Sequence, residues 1–158
     1  MTARQLPKDI QKLPAYLLYK MVERQTDKGI KYDKVPHYAD GTPRRGTQGS
    51  AEDRAKLVTY AEAQTVLETS NGAYDGIGIA LLPDFEIVGL DFDGCIDEQG
   101  RCAQWVLDLC QGTYTERSPS GRGVHALFRG AMPDFKNHAE GVEVFHANGF
   151  MTLTGDPL

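Results

Sequence analysis

The segment VGLDFDG, residues 88–94, constrains the fold more than any other part of the chain. Side chains of a β-strand point alternately to its two faces. The three apolar residues at its even positions therefore share one face, and Asp91 and Asp93 share the other. Such a strand requires a sheet that has an apolar core on one side and a surface bearing carboxylates on the other.

Two later segments, SPSGRGVHALF and GVEVF, have the same alternation. It places His125 and Glu143 on the polar faces of their strands, opposite the apolar neighbours. Three carboxylates and a histidine are thus expected to converge on one face of the sheet. Because unpaired charges are costly there, divalent cations and a polyphosphate are the ligands expected to neutralise this face.

Length and composition place limits on the fold and on the cellular location. The chain has 158 residues, of which 41% are hydrophobic and 25% charged, which suits one compact domain. No long apolar run and no secretory leader is found, so we expect a cytoplasmic protein without membrane contact. The 3 cysteines lack C-x-x-C spacing, which argues against a disulfide framework and a zinc knuckle.

The net charge of -5 conceals an asymmetry along the chain. Residues 1–60 have 12 Lys or Arg against 7 Asp or Glu, whereas the remaining residues have 5 against 15. This distribution is typical of a protein whose N-terminal part faces a phosphate backbone while its acidic part holds metal ions. The alternative is a solvated region with ordinary surface lysines.

Hydrophobic periodicity and turn residues predict an α+β fold. We expect a mostly antiparallel, RRM-like sheet with helices on one face and an open catalytic face, preceded by an N-terminal hairpin and helix subregion. The predicted strands cover residues 15–23, 30–38, 76–81, 86–92, 113–117, 123–129 and 142–154, the last with a break at 147–149; the predicted helices cover 51–69, interrupted near Thr59, and 101–110.

The three carboxylates suggest a site for two metal ions. In nucleotidyl transfer, one cation activates the attacking oxygen and another holds the leaving pyrophosphate. Asp91, Asp93 and Glu143 have the spacing expected of such ligands. A D-x-D pair alone is a weak signal, and the third carboxylate together with His125 makes it more specific.

The segment SPSGRGVH supplies groups that bind a triphosphate. Its serines and glycines offer hydroxyl and backbone N–H donors, and its arginine adds a forked, permanently charged donor. The alternative is a glycine-rich hairpin turn with a satisfied histidine. The predicted nucleotide-binding residues are Ser118, Ser120, Gly121, Arg122, Gly123 and His125.

The motifs VGLDFDGC, SPSGRGVHALF, GVEVF and FMTLTGDPL, in that order, resemble the archaeo-eukaryotic primase superfamily. More narrowly, they resemble the primase-polymerase domains found at the N-terminus of phage and plasmid replication proteins. KVP at residues 34–36 and DGIGIAL at residues 75–81 extend the resemblance to nearly the whole chain. The resemblance implies an RRM-like palm, two Mg²⁺ or Mn²⁺ ions and template-directed nucleotide addition.

The resemblance also implies partners and a domain organisation. We expect a single domain over residues 1–158, with a basic subregion at about 1–70 and a metal-binding palm at about 74–158, excised from a longer replication protein. Expected partners are a single-stranded DNA template with its primer, nucleoside triphosphates, and a helicase in cis or in trans, in a bacterial host cell. The predicted template contacts are Lys34, His37, Arg44 and Arg45.

Two alternatives from other classes remain. DFDGCI resembles the nucleophile motif of haloacid-dehalogenase-like phosphatases, in which Asp91 would be the nucleophile and Asp93 the general acid. That motif normally opens the chain, whereas Asp93 is followed by only 65 residues. The second alternative is a non-catalytic module on the same fold that binds single-stranded or origin DNA through basic and aromatic residues.

Overall fold

The structure is a computed structural model that describes residues 5–158. Within this range, four short helices accompany nine strands. The helices are α1 (Lys8–Gln11), α2 (Ala51–Lys56), α3 (Tyr60–Thr69) and α4 (Gln104–Leu109). The strands are β1 (Tyr16–Thr26), β2 (Gly29–His37), β3 (Gly76–Ala80), β4 (Ile87–Phe92), β5 (Tyr114–Arg117), β6 (Val124–Arg129), β7 (Phe135–Asn137), β8 (Val142–Phe145) and β9 (Phe150–Leu153).

The strands form two antiparallel sheets, which confirms the predicted α+β class. The first sheet has the order β2-β1-β3-β9, and the second has the order β5-β6-β4-β8-β7. Because β3 and β9 belong to the first sheet, the division between the sheets does not follow the predicted subregion boundary near residue 70. None of the helices in the described range is long and apolar enough to cross a membrane.

The helical segment after residue 50 has the predicted interruption. Ser50 caps α2 by accepting a hydrogen bond from the Asp53 N–H. Thr59 caps α3 and forms a capping box with Glu62, in which each side chain bonds to the backbone of the other. The start signal of a second helix therefore explains why one continuous helix does not form.

The apolar face of β4 packs against α4. Val88, Leu90 and Phe92 are buried in one cluster with Val106 of this helix and with side chains from β6 and β8. This is the arrangement that the alternation of β4 predicts, with a helix covering the apolar face of the sheet. The opposite face therefore carries the polar groups.

That opposite face is partly covered by the first sheet, so the expected open face is narrower than predicted. Its residues away from the carboxylates are apolar: Ile87, Tyr114 and Leu127 are buried in a cluster with residues of β1, β3 and β9. Burial of this apolar half favours contact with the first sheet. The polar half of this face remains uncovered, at one end of the space between the two sheets.

The hairpin of β1 and β2 continues beyond the first sheet. The two strands pair from Leu18 and His37 to Thr26 and Gly29, whereas β1 pairs with β3 only as far as Tyr19. Residues 21–25 and 28–32 are exposed. We call residues 20–35 the ribbon, because here two strands extend without a third.

Candidate active site

A row of five polar residues crosses the second sheet. Asp91 of β4 pairs directly with His125 of β6 on one side and with Glu143 of β8 on the other. Glu116 of β5 pairs with His125, and Lys136 of β7 pairs with Glu143. Directly paired residues of antiparallel strands share a face, so the structure brings together Asp91, His125 and Glu143.

Asp91 lies at the centre of the row with an unsatisfied oxygen. Its Oδ1 is buried and accepts no hydrogen bond from residues 5–158. The nearest cation is His125, whose Nε2 lies 3.5 Å from Oδ1, which is long for a hydrogen bond. A buried carboxylate oxygen without a donor is costly, and coordination of a cation is a common way to satisfy it.

His125 is held between two carboxylates. Its Nδ1 lies 2.8 Å from the Thr152 carbonyl oxygen of β9 and 3.7 Å from Oε1 of Glu116. Burial alone would lower the pKa of this imidazole, but the neighbouring Asp91 and Glu116 carboxylates outweigh burial and raise the pKa to about 9. The ring is therefore cationic at neutral pH.

Glu116 is a member of the row that sequence reasoning missed. It is fully buried, and it accepts hydrogen bonds from the Tyr114 hydroxyl and from the backbone N–H groups of Thr154 and Gly155, at 2.7 to 2.9 Å. Alternation in the segment YTER could have placed Glu116 on the face of His125. Its contacts with the chain after β9 depend on tertiary packing.

A small cavity of about 150 Å³ opens beside Asp91. Three residues of β9, Phe150, Met151 and Thr152, contribute to its wall, and the Thr152 Oγ1 is buried without a hydrogen-bond partner in the described chain. Lys34 of β2 reaches the same cavity from the other sheet, together with His125. The structure thus places this predicted template contact close to the carboxylates.

The other two carboxylates line neighbouring cavities. Glu143 is half-buried, and its Oε1 lies 3.5 Å from Nζ of Lys136. Asp93 follows the end of β4, is exposed, and donates its backbone N–H to the Gly141 carbonyl at 2.7 Å. Across residues 5–158, no three His, Cys, Asp or Glu side chains are grouped tightly enough to form a ready metal site. Asp91, Glu143 and Asp93 each line a different cavity of the described chain.

The SPSGRG loop is ordered by its own hydroxyl groups. The Ser118 Oγ accepts a hydrogen bond from the Gly123 N–H at 3.1 Å, and the Ser120 Oγ accepts one from the Arg122 N–H at 3.2 Å. Gly121 has a φ of +74°, which favours glycine. A Cβ on Gly123 would lie 2.7 Å from the Phe92 carbonyl oxygen, so the loop packs against β4 only with glycine there.

Arg122 extends from this loop to a cavity of about 680 Å³ that Asp93 also lines. Its Nε donates to the Ile96 carbonyl at 3.1 Å, and the residue is exposed. No side-chain carboxylate of the described residues forms a salt bridge with it. Its guanidinium is therefore accessible to an anionic ligand beside Asp93.

The remaining predicted template contacts separate into buried and exposed residues. The Arg44 side chain is only 2% exposed and binds both carboxylate oxygens of Asp53 at 2.8 Å, so it lies inside the protein and not on the surface expected for it. His37 is also buried, with Nδ1 3.0 Å from the Val35 carbonyl. Arg45 is exposed.

Comparison with known proteins relates the chain to a replication enzyme. No protein-family profile matches it. It is 30% identical over 156 residues to the DNA primase-polymerase of Nitratiruptor phage NrS-1, and the match covers 93% of this chain and 20% of that protein. The chain thus spans about 20% of the length of that relative. The match supports the resemblance to primase-polymerase domains that the motifs indicated.

Proposed function

We infer that this chain is a primase-polymerase domain, and we propose that it adds nucleotides to a primer along a single-stranded DNA template. The observation that carries the proposal is the row in which Asp91 lies directly between His125 and Glu143. This row brings the three sequence motifs that carry the family resemblance together on adjacent strands. The similarity to a phage DNA primase-polymerase over 93% of the chain supports the same conclusion.

Asp91, Asp93 and Glu143 are the residues that would hold two Mg²⁺ or Mn²⁺ ions. The donor set fits such ions, because they prefer oxygen ligands and the buried Oδ1 of Asp91 accepts no hydrogen bond from the described residues. When bound, the ions would activate the primer 3′-hydroxyl and offset the charge of the leaving pyrophosphate. Lys136 also pairs with Glu143, at 3.5 Å between Nζ and Oε1.

His125 and Lys34 would bind the incoming nucleotide through its phosphates. The carboxylates of Asp91 and Glu116 raise the pKa of His125, which favours a charged ring beside an anionic ligand. The Thr152 carbonyl and Glu116 fix the orientation of the ring. Such fixed charges stabilise a transition state without having to reorganise during the reaction.

Arg122 would bind the triphosphate from the other side of the carboxylates. Its guanidinium faces the cavity that Asp93 lines, and the bonded serines hold the loop in place. Gly123 allows the loop to approach the end of β4 closely. Extension of an existing primer is the reaction that we assign to these residues, and a helicase partner stays a prediction.

Primer extension with labelled nucleotides tests the proposal. Wild type is compared with Asp93→Asn and Glu143→Gln, in Mg²⁺ or Mn²⁺ and in EDTA. Asp108→Asn is the matched control, because this exposed carboxylate lies on α4, behind the sheet. We expect cation-dependent extension by wild type and by the control, with a loss on the order of 100-fold or more in the other two variants.

Several outcomes would contradict the proposal. Full extension by a folded Asp93→Asn protein would remove Asp93 from the site. Absence of extension by every protein, together with tight binding of single-stranded DNA, would favour the non-catalytic binding module. Release of phosphate from a monoester, lost in Asp91→Asn, would favour the phosphatase.

A further inference from the structure

One face of the ribbon, which we call the apolar face, has three large apolar side chains that are accessible. Cross-strand pairing places Met21 opposite Lys34, and the same face continues through Tyr32 and Ile30, which lie opposite Glu23 and Gln25. Met21, Ile30 and Tyr32 are 40%, 54% and 60% exposed. Large apolar side chains this exposed, side by side on a two-stranded ribbon, are typical of a surface that binds a partner.

This face leads outward from the candidate active site. Lys34 lies at its base and lines the cavity that contains Asp91 and His125. Tyr32 and Ile30 follow on the same side of β2, so the face extends about 13 Å from Lys34, at roughly 3.3 Å per residue. A ligand on the ribbon would therefore be continuous with a ligand in the site.

The charges of the ribbon favour a polyanion. Lys20, Lys28, Lys31 and Lys34 form no ion pair with a side-chain carboxylate of residues 5–158. Of the ribbon's three acidic groups, Asp33 pairs with Arg24 at 2.7 Å, Glu23 accepts a hydrogen bond from the Tyr32 hydroxyl at 3.2 Å, and Asp27 is exposed in the turn. Lys34 lies on the same face as Tyr32 and Lys28 lies in the turn, whereas Lys20 and Lys31 lie on the opposite face. Positive charge is thus available at both ends of the apolar face, in a chain whose net charge is -5.

We propose that the ribbon is a platform for single-stranded DNA, on which bases stack against Tyr32 and pack on Ile30 and Met21 while lysines contact the phosphates. Proteins that bind single-stranded DNA without sequence preference stack its bases on aromatic side chains and contact its phosphates with positively charged residues. A strand of another protein is a poorer occupant of the edge strand β2, because Lys31, Lys34 and Pro36 disfavour pairing there. That the bound strand is the template leading to Asp91 rests on the proposed function.

Fluorescence anisotropy with a labelled oligothymidine, in EDTA and without nucleotides, tests the platform. Tyr32→Ala should weaken binding by roughly 5-fold to 100-fold, because one stacking ring is lost. Tyr32→Phe keeps the ring and should bind like wild type. Leu109→Ala is the matched control, since this exposed apolar residue lies on α4, behind the second sheet.

The salt dependence separates stacking from charge. Lys28→Gln, in the turn at the end of this face, should reduce the slope of log K against log salt by about 0.7, which is roughly the contribution of one phosphate contact on a single strand. Tyr32→Ala should lower affinity at all salt concentrations without changing the slope. Lys12→Gln, on an exposed residue just after α1, is the charge control and should leave the slope unchanged.

Unchanged affinity of a folded Tyr32→Ala protein would overturn the platform and would leave the ribbon as a surface for protein contacts. An unchanged slope in the lysine variant would also contradict it. Failure here is distinguishable from failure of the proposed function, because binding is measured without catalysis.

Discussion

At the scale of single residues, the charge of His125 is determined by the groups that surround its ring. Asp91 pairs with His125 directly across the sheet, and Glu116 and the Thr152 carbonyl flank its Nδ1. Strand alternation predicts that His125 shares a face with Asp91 and Glu143, but it does not predict the contacts from β5 and β9, which depend on tertiary packing.

The raised pKa of His125 predicts a dependence of stability on pH. Since the folded pKa of about 9 lies above the ordinary value of 6.5, the stabilisation is fully present below pH 6.5 and is lost as pH rises through 9. We expect the free energy of unfolding to fall by about 3 kcal/mol across this interval. Urea denaturation in EDTA at several pH values measures this change.

His125→Gln is the matched variant, because glutamine has no titratable ring. The difference in unfolding free energy between the two proteins should shrink steadily as pH rises from 6.5 to 10. A difference that stays constant over this interval would show that the ring is neutral in the folded protein.

At the scale of elements, the loop between β2 and α2 was harder to predict than the strands. The predicted interruption before α3 is confirmed, because capping signals are local in sequence. The burial of Arg44 was not foreseen, because it depends on α2 folding back so that Asp53 meets the loop. The second sheet was not foreseen either. Two sheets form because the face of β4 that carries Asp91 also has an apolar half, which is buried against the first sheet.

The pair of Arg44 and Asp53 predicts a loss of stability and not only a loss of DNA binding. Burial alone would raise the pKa of Asp53, but hydrogen bonds from Arg44, Tyr38 and the Gly49 N–H lower that pKa to about 2. In Arg44→Met, the Asp53 carboxylate stays buried but loses the positive charge that partly compensates its own negative charge. We expect the free energy of unfolding to fall by about 3 to 5 kcal/mol in urea denaturation at pH 7.

Arg45→Met is the matched control, since its side chain is the exposed neighbour of Arg44. It should change stability by less than about 0.5 kcal/mol. Equal losses in the two variants would contradict the buried role of Arg44. Weaker DNA binding in Arg45→Met alone would keep Arg45 as the template contact in this loop.

At the scale of the whole molecule, the acidic row and the basic groups lie on different sheets. The second sheet holds the acidic row, and the first contributes Lys34 and the basic ribbon. The charge asymmetry along the sequence anticipated this separation. It could not show that β2 brings Lys34 to the cavity beside Asp91, because that contact joins residues 57 positions apart.

We propose that the row around Asp91 adds nucleotides as a template directs. Single-nucleotide incorporation tests this on four primer-templates that differ only in the first unpaired base, with wild type and Asp91→Asn. We predict that wild type adds the complementary nucleotide in each case and that folded Asp91→Asn adds none. Addition that ignores the template base, or that survives in Asp91→Asn, would contradict the claim.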